Sequence, residues 1–139
     1  MDKKQIALDF IKKQLLGVLA TTTPESKPEA AVIEFGETDD FELVFDTSIT
    51  YRKYNNLKNN PNIAFVVGGE KNISIQLEGL AKELTEEESA KYKQSYFKKN
   101  PDAQKWEKLP DTRWFKIMPH WLRYRDYNSH PTTVWELEF

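Results

Sequence analysis

DTSITYRKYNNLKNNP, Asp46 to Pro61, is the stretch whose reading decides the fold. It links two strand-like runs, Phe41 to Phe45 (FELVF) and Ile63 to Val67 (IAFVV). Between them, hydroxyls at Thr47, Ser48 and Thr50 precede the basic pair Arg52-Lys53 inside a short helical pattern. Asn59-Asn60-Pro61 then closes the helix and restarts the sheet. A strand-to-helix junction of this kind suits a bound phosphate, because free N–H groups and the helix dipole favour an anion there. An arginine adds a planar fork of donors. The competing reading is a solvated basic helix face, which spacing alone favours.

On the N-terminal side, residues 2–16 place Ile6, Ala7, Phe10, Ile11 and Leu15 among lysines, an amphipathic helix with Gly17 as its C′ glycine. Val18 to Thr23 reads as a strand, Pro24 to Lys27 as a turn, and Pro28 to Phe35 as a second strand. Gly36 to Asp40 makes another turn before Phe41 to Phe45. Connections of four or five residues favour an antiparallel meander over βαβ crossovers.

On the C-terminal side, Gly68 to Asn72 is a hairpin loop and Ile73 to Leu84 alternates. Ile73, Ile75, Leu77 and Gly79 take one face, and Ser74, Gln76, Glu78 and Leu80 the other. Thr85 to Glu88 is a capping box that starts a helix running to about Lys99. Pro101 to Lys108 adds a further helical turn or two. Three tail strands follow, Thr112 to Met118, Trp121 to Tyr127 and Thr132 to Phe139, punctuated by Pro110, Pro119 and Pro131. The sum is a mainly β chain, an antiparallel barrel with flanking helices, in one domain over residues 1–139.

Composition narrows the function. There is no cysteine, so neither a disulfide framework nor a thiolate metal site is available, and a reducing cytosol fits. Twenty Lys and Arg against 22 Asp and Glu leave a net charge of −2, which provides no field toward nucleic acid or anionic lipid. No apolar run is long enough to span a bilayer, and the start MDKKQIALDF is not a signal peptide. A cytoplasmic protein without nucleic-acid or membrane partners is expected.

Recognisable catalytic motifs are missing. His120 and His130 stand ten residues apart without clustered carboxylates, so no metal site is expected. Glycine fingerprints, a nucleophile elbow and H-E-x-x-H are absent, and no catalytic residue stands out. Glu86 to Glu88 reads as the negative first turn of a helix. Trp121, Arg123 and Arg125 share one strand face, which suits ring stacking or, equally, a dimer contact.

Four segments in order carry a resemblance: LATTTPESKPEAAVIEF, FELVFDTSITYRKYNNLKNNPNIAFVVG, ISIQLEGLAKEL and FKIMPHWLRYRDY. Together they resemble the pyridoxamine 5′-phosphate oxidase-related, FMN-binding split-barrel family over roughly residues 15 to 127. The T…RK…NL…NP…A block and L-E-G-x-A are the most specific parts. The resemblance implies a six-stranded antiparallel split barrel, a homodimer, and FMN in grooves between subunits. By it, Arg52 and Lys53 grip the FMN phosphate, and Thr47 reaches the phosphate or ribityl region. The backbone of Val32, Ile33 and Glu34 and of Phe45 and Asp46 follows the isoalloxazine edge. Ser74 faces the cofactor, and Trp121 and Arg123 approach the neighbouring subunit's flavin. Relatives on this scaffold also carry haem or a deazaflavin.

Two departures matter. Where the full oxidases place an arginine and a lysine on the second strand, this chain has Ala31 and Gly36, and it lacks their C-terminal Arg-x-His type segment. Pyridoxamine phosphate oxidase activity is therefore not expected. The expected function is an FMN-dependent oxidoreductase acting on a small molecule, with a reduced nicotinamide as a candidate electron donor. A flavin carrier or sensor without turnover is the second reading, and a small barrel binding single-stranded nucleic acid the third.

Overall fold

Two strands that are neighbours in sequence lie at opposite ends of the sheet, and this makes the barrel. The computed structural model describes residues 2–139. Its elements are α1 (Lys3–Lys12), β1 (Leu16–Thr22), β2 (Pro28–Glu34), β3 (Gly36–Glu37), β4 (Leu43–Ser48), α2 (Arg52–Asn59), β5 (Asn62–Gly68) and β6 (Ile73–Glu83). There follow α3 (Glu86–Lys99), a 3₁₀ turn (Pro101–Trp106), β7 (Thr112–Asp126) and β8 (Thr133–Glu138). The sheet order is β2-β1-β5-β6-β7-β4-β3, with β8 added on β7. Only Phe35 separates β2 from β3, so the sheet must curl until its two ends meet at that residue.

The pairs are antiparallel throughout. The expected split barrel is present, with eight strands instead of six. One addition, β3, is two residues long. The expected meander is interrupted: β2 pairs only with β1, and β4 pairs with β3 and β7 on the far side of the barrel.

Alternation explains the core. In β5, Ile63, Phe65 and Val67 are buried while Ala64 and Val66 are exposed. Phe35, Phe41, Phe45, Phe65 and Phe115 are fully buried inside the barrel, and Phe45 stacks on Phe115 at 5.5 Å. Each such ring removes enough apolar surface from water to contribute about 1.5–3 kcal/mol. Ala7, Leu8 and Ile11 of α1 close one side of this core. The α3 helix packs outside, placing Tyr92 and Tyr96 on Val44 and Trp114. Its capping box forms as expected, with Thr85 Oγ1 accepting from the Glu88 amide and Glu88 returning to the Thr85 amide.

Several expectations need correction. The turn expected at Gly36 to Asp40 begins with β3, and the strand expected at Phe41 to Phe45 runs from Leu43 to Ser48, taking in Thr47 and Ser48 because the ladder to β7 continues there. The α1 helix ends at Lys12, and Gly17 lies within β1. That glycine serves packing: a Cβ there would lie 2.2 Å from the Phe65 ring. The tail has two strands instead of three, because β7 runs straight through Pro119. The register against β6 slips there, pairing Gly79 with Pro119 and Glu78 with Trp121, so His120 is the extra residue of a bulge. On its other edge β7 pairs with β4 up to Ile117 and with β8 from Trp121. A proline is tolerated in that gap between ladders. Among the described residues, no helix is long and apolar enough to cross a membrane.

Candidate functional site

The barrel does not close completely, and the chemistry-bearing residues gather at the opening. Gly36 pairs with Val44 and Glu37 with Leu43, after which β2 and β4 part. From there β2 presents one edge without a partner strand, and so does β4 beyond Val44. Free backbone groups along two diverging strands can receive the edge of a planar, hydrogen-bonding ligand.

The α2 helix lies across one end of this mouth. Tyr51 occupies its N-cap position, and no side chain caps it. Its first amides are thus open to an anion. They face a cavity of about 300 Å³ lined by Leu19 and Thr21 of β1, Glu29, Ala30 and Ala31 of β2, and Thr50 to Lys53. The Arg52 guanidinium pairs with Glu29 Oε2 at 2.8 Å while remaining largely exposed. Burial lowers the Lys53 pKa from the usual lysine range; nearby Asp46 opposes that shift and Arg52 adds to it. A cation that gives up solvation beside another cation is poised for an anionic partner.

Asn56 fixes the helix. One turn after Arg52 and almost fully buried, its Nδ2 donates to Thr21 Oγ1 at 3.0 Å and to Glu29 Oε1 at 2.8 Å. Glu29 therefore orients both Arg52 and Asn56. Neither Glu29 nor Asn56 was expected from sequence; the i, i+4 spacing of Arg52 and Asn56 was the available signal. Thr47, at the end of β4, is 5% exposed, and its hydroxyl has no hydrogen-bond partner. A buried hydroxyl without a partner costs on the order of 1–3 kcal/mol, which a ligand acceptor or donor would relieve.

The other expected residues are distributed around the mouth. Arg52 and Lys53 line the cavity, while Glu34 lines a second recess of about 450 Å³ beside Leu16, Lys99, Lys105 and Trp106. Asp46 is half-buried and receives the Tyr96 hydroxyl at 3.3 Å. Burial raises its pKa above the usual aspartate range, the Tyr96 hydrogen bond opposing and Glu34 adding to it. The Phe45 and Ile33 side chains are core residues, so only their backbones could meet a ligand. Val32 points outward and is 65% exposed.

Ser74, Trp121 and Arg123 lie away from the cavity, on the outer face of the sheet. Ser74 pairs with Gly68 and Arg125. Trp121 Nε1 donates to Glu136 Oε1 at 3.0 Å and Arg123 Nε to Glu136 Oε2 at 2.9 Å. The register places Val32, Val18, Val66, Gln76, Arg123 and Glu136 in one row across this face. No cluster of three or more metal-ligating side chains occurs among the described residues.

An open-mouthed antiparallel barrel with an uncapped basic helix at its mouth defines a split-barrel protein. The sequence matches the pyridoxamine 5′-phosphate oxidase family model over residues 4–126, and the protein belongs to that family. No curated protein matches the sequence. General stress protein 26 of Bacillus anthracis str. Sterne is 26% identical, with a TM-score of 0.74 covering 99% of this chain and 100% of that one. A haem binding protein of Mycobacterium smegmatis superimposes with a TM-score of 0.80 at 18% identity, covering 92% of this chain and 54% of that one. The haem storage protein HutZ of Vibrio cholerae gives 0.74 at 15% identity, covering 86% and 92%. The chain thus spans about half the length of the Mycobacterium protein, and the two haem proteins share its fold.

Proposed function

We propose that the protein is a homodimeric FMN-binding flavoprotein that works as an oxidoreductase on a small molecule. The observation that carries this reading is the uncapped start of α2, where Arg52 and Lys53 line a cavity; the unpartnered Thr47 hydroxyl at the end of β4 adds to it. In this reading the phosphate sits on the α2 amides and is gripped by Arg52 and Lys53, with the Thr47 hydroxyl satisfied in the phosphate or ribityl region. The free edges of β2 at Val32 to Glu34 and of β4 at Phe45 and Asp46 hold the ring by backbone hydrogen bonds. FMN, when bound, supplies two-electron redox chemistry, and the protein contributes orientation and electrostatics. Reduced nicotinamide is the proposed electron donor.

The outer face supports the dimer in this reading. Val32, Val18 and Val66 are adjacent on three strands and are 65%, 40% and 43% exposed. A contiguous apolar patch of this kind marks an interface. A two-fold partner on this face would bring its Ser74, Trp121 and Arg123 toward the mouth, uniting residues that one chain keeps apart.

Ala31 and Gly36 stand where the full oxidases carry an arginine and a lysine that assist the flavin, which argues against pyridoxamine phosphate oxidation. Gly36, in β3, has no room for such a side chain, because a Cβ there would meet the Tyr96 backbone at 2.6 Å. The test is the visible spectrum of the purified protein after incubation with FMN and gel filtration. A stoichiometric flavin spectrum bleached by a reduced nicotinamide supports the reading. A retained flavin that no reduced nicotinamide bleaches makes the protein a carrier. A Soret band, with no flavin retained, replaces the reading with haem binding, which the Mycobacterium and Vibrio relatives share.

A further inference from the structure

Between the cavity and the second recess, three side chains meet whose contact the FMN reading leaves without a task. Gly36 pairs with Val44, so Glu34 and Asp46 stand equal steps beyond that rung and face each other where the strands part. The Tyr96 hydroxyl reaches both, lying 3.4 Å from Glu34 Oε2 and 3.3 Å from Asp46 Oδ1. Tyr96 itself is 2% exposed. One phenol proton cannot serve two carboxylates at full strength, and two ionised carboxylates converging on one donor repel. A second proton, carried by one of the carboxyls, resolves the arrangement.

The surroundings say where that proton resides. Burial and both carboxylates push the Tyr96 hydroxyl well above its ordinary range, so the phenol remains a donor. Asp46 is the more buried of the two acids, and Glu34 is exposed toward the recess. Lys53 of α2 opposes protonation of Asp46. The other nearby cations have other partners: Arg52 pairs with Glu29 and Lys99 with Glu37, Lys93 of α3 lies over the Trp114 ring, and Lys105, which lines the recess with Glu34, lies over the Trp106 ring. Trp114, the β7 partner of Asp46, carries no charge.

We propose that Glu34 and Asp46 hold one proton between them over the Tyr96 hydroxyl and act as an acid–base pair for a ligand bound across the mouth. With FMN bound, a reduced nicotinamide would supply the electron pair as hydride and Asp46 would supply the accompanying proton, leaving a carboxylate whose charge Lys53 favours. The nicotinamide leaves oxidised, and Glu34, open to the recess, returns a proton from solvent to the pair. This use of the pair rests on the FMN reading; its existence does not.

Carbon-detected NMR titration of the ligand-free protein tests it. Two well-separated carboxyl steps are expected for the pair, the higher assigned to Asp46 and above the ordinary carboxylate range. Glu34→Gln should move that step down, and Tyr96→Phe should move it further up. An Asp46 step inside the ordinary carboxylate range in the wild-type protein would overturn the proposal, whether or not either variant folds. In FMN-loaded protein, flavin reduction by a reduced nicotinamide should slow above the Asp46 step, and Asp46→Asn should abolish that pH dependence. A two-step titration in a protein that retains no FMN would refute the flavin reading and leave the pair standing.

Discussion

Lys99 Nζ lies 2.7 Å from Glu37 Oε2, and both side chains are more than nine-tenths buried. The same ammonium donates to the Ile11 carbonyl at 3.0 Å and sits 3.8 Å from the centroid of the Phe35 ring. One cation therefore ties α1, the β2–β3 connection and α3 together behind the mouth. Burial lowers its pKa, with Glu37 opposing, as expected for a charge that survives on its partners.

Glu37→Gln removes the partner and strands a buried ammonium, which should cost about 3–5 kcal/mol. Replacing both residues with apolar ones, Glu37→Leu with Lys99→Met, should recover most of that loss. Denaturant unfolding measures both; a double variant no more stable than the single one would refute the pairing as the cause.

Asp46 carries a pH signature of its own. Its folded pKa is raised, so the folded chain keeps a proton that the unfolded chain releases. That stabilisation is complete below the unfolded aspartate value and is lost as pH rises through the folded one. Asp46→Asn preserves an acceptor for Tyr96 and removes the titration. Its melting temperature without ligand should exceed that of the wild type at neutral pH, and the difference should vanish under acid conditions.

At the α2 corner two substitutions separate ligand binding from folding. Arg52→Ala should weaken FMN by about 30-fold, the equivalent of about 2 kcal/mol for a charge-assisted fork. Thr47→Val removes an unsatisfied hydroxyl at nearly constant volume. It should leave the ligand-free protein as stable as before, or up to about 1 kcal/mol more stable, while lowering FMN affinity. Fluorescence titration with FMN and thermal unfolding read the two effects separately; unchanged affinity in both variants would remove the corner from the site.

Val18→Asp places a carboxylate at the middle of the exposed valine row. Sedimentation should show a dimer for the wild type and a monomer for the variant at micromolar concentration. FMN retention should fall with it, because the groove is composite in this reading. A variant that stays dimeric would move the interface elsewhere.

Local signals were legible in the sequence, and long-range ones were not. The Thr85–Glu88 cap, the alternating strand read from Ile73 to Leu84 and the short helix around Arg52-Lys53 each depend on residues within one or two turns, and each formed, the strand ending one residue early at Glu83. Gly17 misled because its reason for being glycine is Phe65, 48 positions away and in contact only through the sheet. Pro119 resembled a strand end because nothing nearby announces that β7 changes partners there. At the site, Arg52 and Lys53 were visible as a motif. Asn56, Glu29 and Tyr96 were not, since an asparagine, a glutamate and a tyrosine acquire roles only from what the fold sets beside them.

Phe35 gives the mouth its mechanics. As the one residue between the two ends of the sheet, it acts as the pin of a clasp whose jaws are β2 and β4. Its ring is fully buried, held at 5.2 Å by Phe65 and capped by the Lys99 ammonium. The two jaws are therefore fixed to each other at that packed joint, and a guest meets an opening whose narrow end is set before it arrives.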